Sequence, residues 1–298
     1  MEKTTLHEPV MVDEVLEFLR LKNNSKVLDA TVGCGGHAEF ILKKIRPSGI
    51  LIGIDRDRDS LKIAGERLGK FKNVYLKHAN FTDIDKVLND CGVEKVDAAL
   101  FDLGISSYQL KKPDRGFSFE KESFLDMRMD VGTSLRVYDI VNRYKRDALE
   151  TIIRDFGQER YFRRIARAVV EKRKEAPIKT TSDLANLIRK AVGGRYGHQK
   201  IHPATRTFQA LRIAVNGELD NLRTVLDKIL DFLNPNGRLC VISFHSLEDG
   251  IVKRRFREFK KDSRGNIITK KPLGPKEEET GRNPRSRSAK LRVFEYSG

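Results

Sequence analysis

Four short stretches carry residue types that chemistry would use. The first is LDATVGCGGHAEFIL, residues 28–42, in which an apolar run ends in Asp29, passes Gly33, Gly35 and Gly36, and enters a helical pattern at His37. Glycines between a strand and a helix let a ligand approach backbone that side chains would block, at the positive end of the helix. The second is GILIGID, which ends in Asp55, 20 residues after Gly35. An acid there accepts hydrogen bonds from both hydroxyls of an adenosine ribose. Its other reading is a helix N-cap, a role that Asp57 or Asp59 fills equally well. The third stretch ends in His78-Ala79-Asn80-Phe81, where the Phe81 ring is suited either to a planar base or to the core. The fourth is FDLGISS, which delivers Asp102 to the edge where open α/β sheets gather their ligands.

Dinucleotides, nucleoside triphosphates and S-adenosylmethionine all bind at glycine-rich turns of this kind. The first group calls for G-x-G-x-x-G directly after the strand, and the second for a terminal GK[ST]. Neither is present, because the loop opens Asp29-Ala30-Thr31-Val32 and lacks the lysine. The order D-x-x-x-G-x-G-G resembles the first motif of S-adenosylmethionine-dependent methyltransferases with a Rossmann-like sheet. The resemblance implies that backbone near the glycines faces the methionine part of that cofactor, with the glycines making room for it.

These residues need a sheet to position them, and the pattern supplies one. Strands are expected at 26–30, 49–55, 73–81 and 96–104, separated by helices at 37–45, 61–68 and 84–88. Such alternation implies an α/β fold, a parallel sheet with helices on both faces. The rhythm breaks at 105–204, where SLRVYDIVNRY, ALETIIRDF, RRIARAVVEKRK and SDLANLIRKAV read as helices. Thr181 or Ser182 is the expected N-cap of the last, and Gly193-Gly194 its stop. One long amphipathic helix then runs from Pro203 to Leu233, followed by the turn NPNG, a fifth strand at 237–244, a basic helix at 247–261, a polar tail and a closing strand KLRVFEY. The reading is a sheet domain from 1–104 and 205–298, with a helical cap domain inserted at 105–204.

Charge points to the partner. The 298 residues carry a net +16, but residues 1–140 hold 22 Lys and Arg against 23 Asp and Glu. The excess lies in 141–210, 17 against 7, and in 251–298, 15 against 6. Two basic blocks beside a neutral ligand-binding half fit a nucleic acid better than solubilising surface charge. Cys34, Cys91 and Cys240 are far apart, so neither a disulfide framework nor a metal site is expected. No run approaches the ~18 apolar residues of a membrane span. MEKTTLHEPVMVDEVLEFL reads as an amphipathic helix with Pro9 in its first turn, not a signal peptide, so a cytoplasmic protein is expected.

Longer segments carry a closer resemblance. TVGCGGH (31–37), GIDRD (53–57), FDLGISSYQL (101–110), RGFSF with LDMRMD (115–130), GQERY (157–161), HPATRTFQALRIAVNGEL (202–219), SFHSLED (243–249) and NPRSRSAKLR (283–292) resemble the RsmH or MraW family of small-subunit ribosomal RNA cytosine N4-methyltransferases. They span nearly the whole chain. The resemblance implies a Rossmann-like class I methyltransferase sheet, with Gly35, Gly36, His37, Asp55, Phe81, Asp102 and Gln109 at S-adenosylmethionine. It also implies ribosomal RNA of the small subunit as partner, and transfer to the exocyclic amine of a cytidine in the decoding region. Asp102 is the catalytic candidate, accepting a hydrogen bond from the amine. The fourth strand lacks the Pro-Pro-aromatic that many amino-methylating enzymes place after their acid, so the stacking ring must come from elsewhere. Tyr108, Phe117 and Phe119 are candidates, each with a packing role as the alternative.

Other residues read as follows. His245 is more readily a structural histidine than a proton acceptor. His198 and His202 have helical spacing but no carboxylate cluster for a metal. Arg195, Lys200 and Arg206 are phosphate contacts or exposed charge. The basic face of the cap and the tail around Arg282–Arg292 are expected to track phosphates. A nicotinamide enzyme on the same sheet, an RNA-binding assembly factor without activity, and a methyltransferase of another base are the competing readings.

Overall fold

The computed structural model describes residues 9–196 and 201–298. The chain forms two compact units, Met1–Ser106 with Leu219–Gly298, and Ser107–Glu218.

The first unit opens with α1 (Val12–Leu19) and then alternates β1 (Lys26–Asp29), α2 (Gly36–Ile45), β2 (Ile50–Asp55), α3 (Arg58–Leu68), β3 (Val74–His78), α4 (Ile84–Asp90) and β4 (Val96–Asp102). The second unit carries α5 (Ser107–Lys111), α6 (Val137–Arg143), α7 (Arg146–Asp155), α8 (Phe162–Glu175), α9 (Thr181–Val192) and α10 (Thr205–Asn216). After α11 (Glu218–Lys228) the sheet resumes with β5 (Leu233–Ser243), α12 (Ser246–Lys261), β6 (Gly265–Ile267), α13 (Glu277–Arg282) and β7 (Lys290–Tyr296). The seven strands run in the order β3-β2-β1-β4-β5-β7-β6. β1 to β5 pair in parallel and β7 is antiparallel to both its neighbours. Chain order reverses between β1 and β4, so that the crevice beyond their carboxyl ends is the switch point where such sheets bind ligands.

β1, β2 and β4 are buried along nearly their whole length, as expected of strands covered on both faces. Val27, Leu51, Leu100, Cys240, Ile242 and Val293 supply one side of a core completed by α1 and α2. On α12, Phe256 and Phe259 meet Phe294 of β7, each with ring centroids 5.4 Å apart.

Several local expectations change. The long helix is two helices, because Gly217 ends α10 in the left-handed region at φ 60°. α10 therefore belongs with the second unit, whereas the sequence reading assigned everything from 205 onward to the sheet. Asn216 shows why, donating to the Met127 carbonyl at 2.8 Å while its side-chain oxygen accepts from the Met129 N–H at 2.7 Å. Pro9 precedes the first helix and is not in its first turn. The N-cap of α9 is Thr180, whose side chain accepts from Asp183 N–H at 3.1 Å, and Gly193 ends the helix as expected. The NPNG turn lies within β5 as a register shift opposite Val96 and Ala98. The tail contributes β6 and α13, elements too short for hydrophobic periodicity to disclose.

Phe256 is 1% exposed at the junction of α12 and the sheet. Phe256→Ala should lower the unfolding free energy by about 3–5 kcal/mol, read from the midpoint of denaturant unfolding.

Candidate active site

The glycine turn is fastened to β2 by Asp55. Its Oδ2 accepts from Gly33 N–H at 2.8 Å and its Oδ1 from Asp57 N–H at 2.8 Å, while Val32 N–H donates to the Ile54 carbonyl at 2.9 Å. Asp57, not Asp55, caps α3, accepting from Asp59 N–H at 3.0 Å. The cap role is thereby taken, and Asp55 is left with lone pairs for a ligand hydroxyl.

The three glycines differ in what replaces their side chains. A Cβ on Gly35 would lie 3.2 Å from Leu68, and one on Gly36 would lie 3.1 Å from Pro9. At those two positions the missing side chain lets α3 and the segment before α1 close on the turn. Only at Gly33 does the space stand open, its nearest atom 3.9 Å away. Open space therefore lies at Gly33, while at Gly35 and Gly36 other protein side chains occupy the place a Cβ would take.

His37 begins α2 and is 6% exposed. Its Nε2 lies 2.8 Å from the Val10 carbonyl and its Nδ1 lies 3.5 Å from Asp102 Oδ2. Burial holds its pKa down at about 4, so the ring is neutral at physiological pH. With the proton on Nε2 for Val10, Nδ1 turns a lone pair toward the carboxylate. That geometry favours a proton on Asp102.

Asp102 ends β4, and its backbone N–H donates to Thr31 Oγ1 at 2.6 Å. Burial, followed by the charges of Glu248 and Glu279, pushes its pKa up to about 7. Oδ1 is buried and has no hydrogen-bond partner among the described residues. Asp29, 1% exposed at the end of β1, is pushed up to about 8, first by burial and then by Asp102 and Asp55. Burial also raises Asp55 to about 6. Three desolvated acids thus end β1, β2 and β4, and no cation appears among the influences on their titration.

Phe81 follows β3 and packs edge-on against Phe101, with centroids 5.8 Å apart and planes at 77°. The residue as a whole is partly exposed. Gln109 is buried on α5 in the second unit. Thr31, Glu248 and Glu279 escaped the sequence reading. Glu248 had a signal, being three residues after His245 in a capping box. His245 caps α12, and Glu248 Oε2 accepts from Phe244 N–H at 2.8 Å and His245 N–H at 3.3 Å. The structural reading of His245 is the one these contacts support. Glu279 had no signal, since it reaches the N-terminal segment across the chain and accepts from Met11 N–H at 2.9 Å.

In the second unit the candidate rings are packed among its own residues. Phe117 is 7% exposed beneath the Arg115 guanidinium. Phe119 meets Phe208 edge-on at 4.9 Å and His202 at 4.7 Å. Tyr108 lies partly exposed beside Lys112. His202 accepts from Ala204 N–H at 3.1 Å, and burial lowers its pKa. His198, Lys200 and the Arg195 side chain lie outside the described residues, and Arg206 donates to the Gln158 carbonyl at 3.3 Å. In the tail, Arg292 is not a phosphate contact. It is buried against Asp249 at 2.6 and 3.2 Å. No cluster of three or more metal-ligating side chains occurs among the described residues, and no helix there is long and apolar enough to cross a membrane.

S-adenosylmethionine fits this crevice. It carries two cationic centres, a sulfonium and an ammonium, which would draw these acids, uncompensated by any protein cation, into their ionised form. Its ribose diol matches Asp55. The strand order, the glycine turn and the acids at the strand ends define a Rossmann-like S-adenosylmethionine-dependent methyltransferase. A profile of the MraW methylase family matches residues 4–297. The chain is 48% identical over 304 residues to the ribosomal RNA small subunit methyltransferase H of Caldicellulosiruptor bescii, covering 97% of this chain and 98% of that one. It is 47% identical over 288 residues to the protein of the same name from Sulfurihydrogenibium sp., covering 96% and 98%. The chain belongs to the MraW methylase family.

The raised acids fix the sign of a pH effect. A group whose folded pKa lies above its unfolded value stabilises the fold at low pH and loses that contribution as pH rises through the folded value. For Asp29 the loss runs from about pH 4 to about pH 8. Asp29→Asn should therefore gain in melting temperature over the parent as pH rises, with the difference smallest near pH 4 and largest above pH 8. Calorimetry of both proteins without cofactor across that range checks it.

Proposed function

We propose that the protein transfers a methyl group to the exocyclic N4 amine of a cytidine in ribosomal RNA of the small subunit, in its decoding region. The observation that carries this reading is Asp102, a half-buried acid at the switch point with one oxygen buried and unpartnered. The names of the full-length relatives, ribosomal RNA small subunit methyltransferase H, support the substrate class. The cytidine amine is the family's target and is carried here by that membership.

The bound cofactor supplies an electrophilic methyl group on a sulfonium. The chain's residues have to present a poor nucleophile to it, because a cytosine amine shares its lone pair with the ring. Holding the amine in line and excluding water accounts for about 7–11 kcal/mol in well-oriented systems. Asp102, as carboxylate, accepts a hydrogen bond from the amine, localises its lone pair and stabilises the charge that develops on nitrogen. When the N–C bond forms, the nitrogen must lose a proton, and a carboxyl with a pKa of about 7 accepts it at neutral pH. His37, neutral and fixed by Val10, turns the Nδ1 lone pair toward Oδ2 at 3.5 Å, so it faces a hydrogen there once Asp102 has taken the proton. The target base must leave its stack to reach the strand ends, which costs least in single-stranded or distorted RNA.

Incubation with radiolabelled S-adenosylmethionine and unmodified small subunits, followed by digestion to nucleosides, should place the label in N4-methylcytidine. Label in another nucleoside overturns the target. No label despite cofactor binding overturns the activity in favour of an assembly role. Asp102→Asn should lower kcat about 10²–10³-fold while changing cofactor affinity far less. The parent's rate should rise with pH through about 7 as Asp102 ionises, and the variant's should not.

A further inference from the structure

α12 carries a stripe of cations that the sheet unit does not use. Lys253, Arg254, Arg257, Lys260 and Lys261 are all exposed, and none of their side chains has an ion pair, hydrogen bond or ring contact among the described residues. At about 100° per residue they fall within one arc of about 120°, opposite the buried Val252, Phe256 and Phe259. The arc contains no acid. Glu258 lies off it and pairs with Arg255 at 3.1 Å, and Arg255 also meets Asp227 at 3.0 Å. From Lys253 to Lys261 the helix rises about 12 Å.

Cations at a helix C-terminus are favoured by the backbone dipole, and that accounts for Lys260 and Lys261. It does not account for Lys253, Arg254 and Arg257, one to two turns earlier. Elsewhere in the chain, exposed helical cations are commonly matched: Lys172 with Glu175, Lys174 with Glu171, Arg146 with Glu150, Arg223 with Asp220. Five unmatched charges on one face repel one another, at a cost that a polyanion would relieve.

We infer that this face of α12 is a second RNA-binding surface, which holds backbone phosphates of the substrate away from the reacting base. The inference rests on the ribosomal RNA reading above. The surface chemistry selects RNA over other anionic partners. A membrane would require exposed apolar residues for the interface, and those of α12 are turned into the core. An acidic protein would be met through aromatic or apolar anchors, of which the stripe has none. Two arginines with forked donors, backed by three lysines, suit phosphate oxygens.

The test is the triple variant Arg254→Gln, Arg257→Gln, Lys261→Gln. Its binding to protein-free small-subunit RNA is measured by fluorescence anisotropy against salt, alongside cofactor affinity and methyl transfer to intact subunits. With about 0.7 counterions released per phosphate on a single strand, the salt slope should flatten by about 2. KM for subunits should rise at unchanged kcat, and cofactor affinity should stay at the parent's value, which shows that the fold is intact. An unchanged slope and affinity on RNA overturns the proposal. A loss on intact subunits alone, with RNA binding unchanged, also overturns it and points to an acidic ribosomal protein. If the parent binds RNA but transfers no methyl group to any nucleoside, the functional reading fails instead, and the slope still decides the role of α12.

Discussion

The active crevice is organised around three buried carboxyl groups that no cation of the protein compensates. Asp29, Asp55 and Asp102 end three neighbouring strands, and burial lifts each well above an ordinary carboxylate. A core selected only for stability would avoid this, since buried acids are tolerated when paired. Two of the acids are held by backbone N–H groups: Thr31 donates to Asp29, and Gly33 and Asp57 donate to Asp55. Those bonds keep the side chains oriented without bringing a positive charge to them. The site is consequently tuned to a ligand that brings positive charge, and the neutral His37 beside Asp102 does not blunt that preference.

The geometry of the turn follows from the same arrangement. Asp55 ties Gly33 to β2, Leu68 of α3 fills the place of a side chain at Gly35, and Pro9 does so at Gly36. The backbone of the turn is thereby closed on two sides by protein and left open at Gly33. The segment before α1 takes part in this closure through Val10, whose carbonyl fixes the His37 ring, and Met11, whose N–H is held by Glu279.

How far the sequence discloses this depends on whether a signal is local. The strands to Asp29, Asp55 and Asp102 were legible because buried parallel strands are continuous apolar runs, and their last residues were polar. The second half of the sheet was less so. β6 is three residues long, and the break at Gly217 lies in an unbroken apolar stripe that reads as one helix. Contacts across long separations were not legible at all. Asn216 knits Met127 and Met129, and Arg128 grips Asp126 at 2.7 and 2.8 Å, so that conspicuous motifs of the insertion turn out to be internal fastenings. Likewise Arg292 looked like one more basic residue of a tail and is a buried strut between β7 and α12. Periodicity reports which face is buried, not which residue on it is bonded.

The sheet is assembled from two stretches of chain with residues 107–218 between them, and β5 pairs with β4 from Ala98 to Asp102. During synthesis, then, β1 to β4 leave the ribosome well before the strand that completes them. At 5–20 residues per second, the edge of β4 waits on the order of 10 s for its neighbour. An apolar strand with an open edge is a template for pairing with another chain. The helical stretch made in that interval includes the neighbouring pairs α7 with α8 and α8 with α9, whose contacts are short in sequence. The order of the gene thus sets an interval in which the nascent protein is vulnerable, and it ends only when β5 emerges.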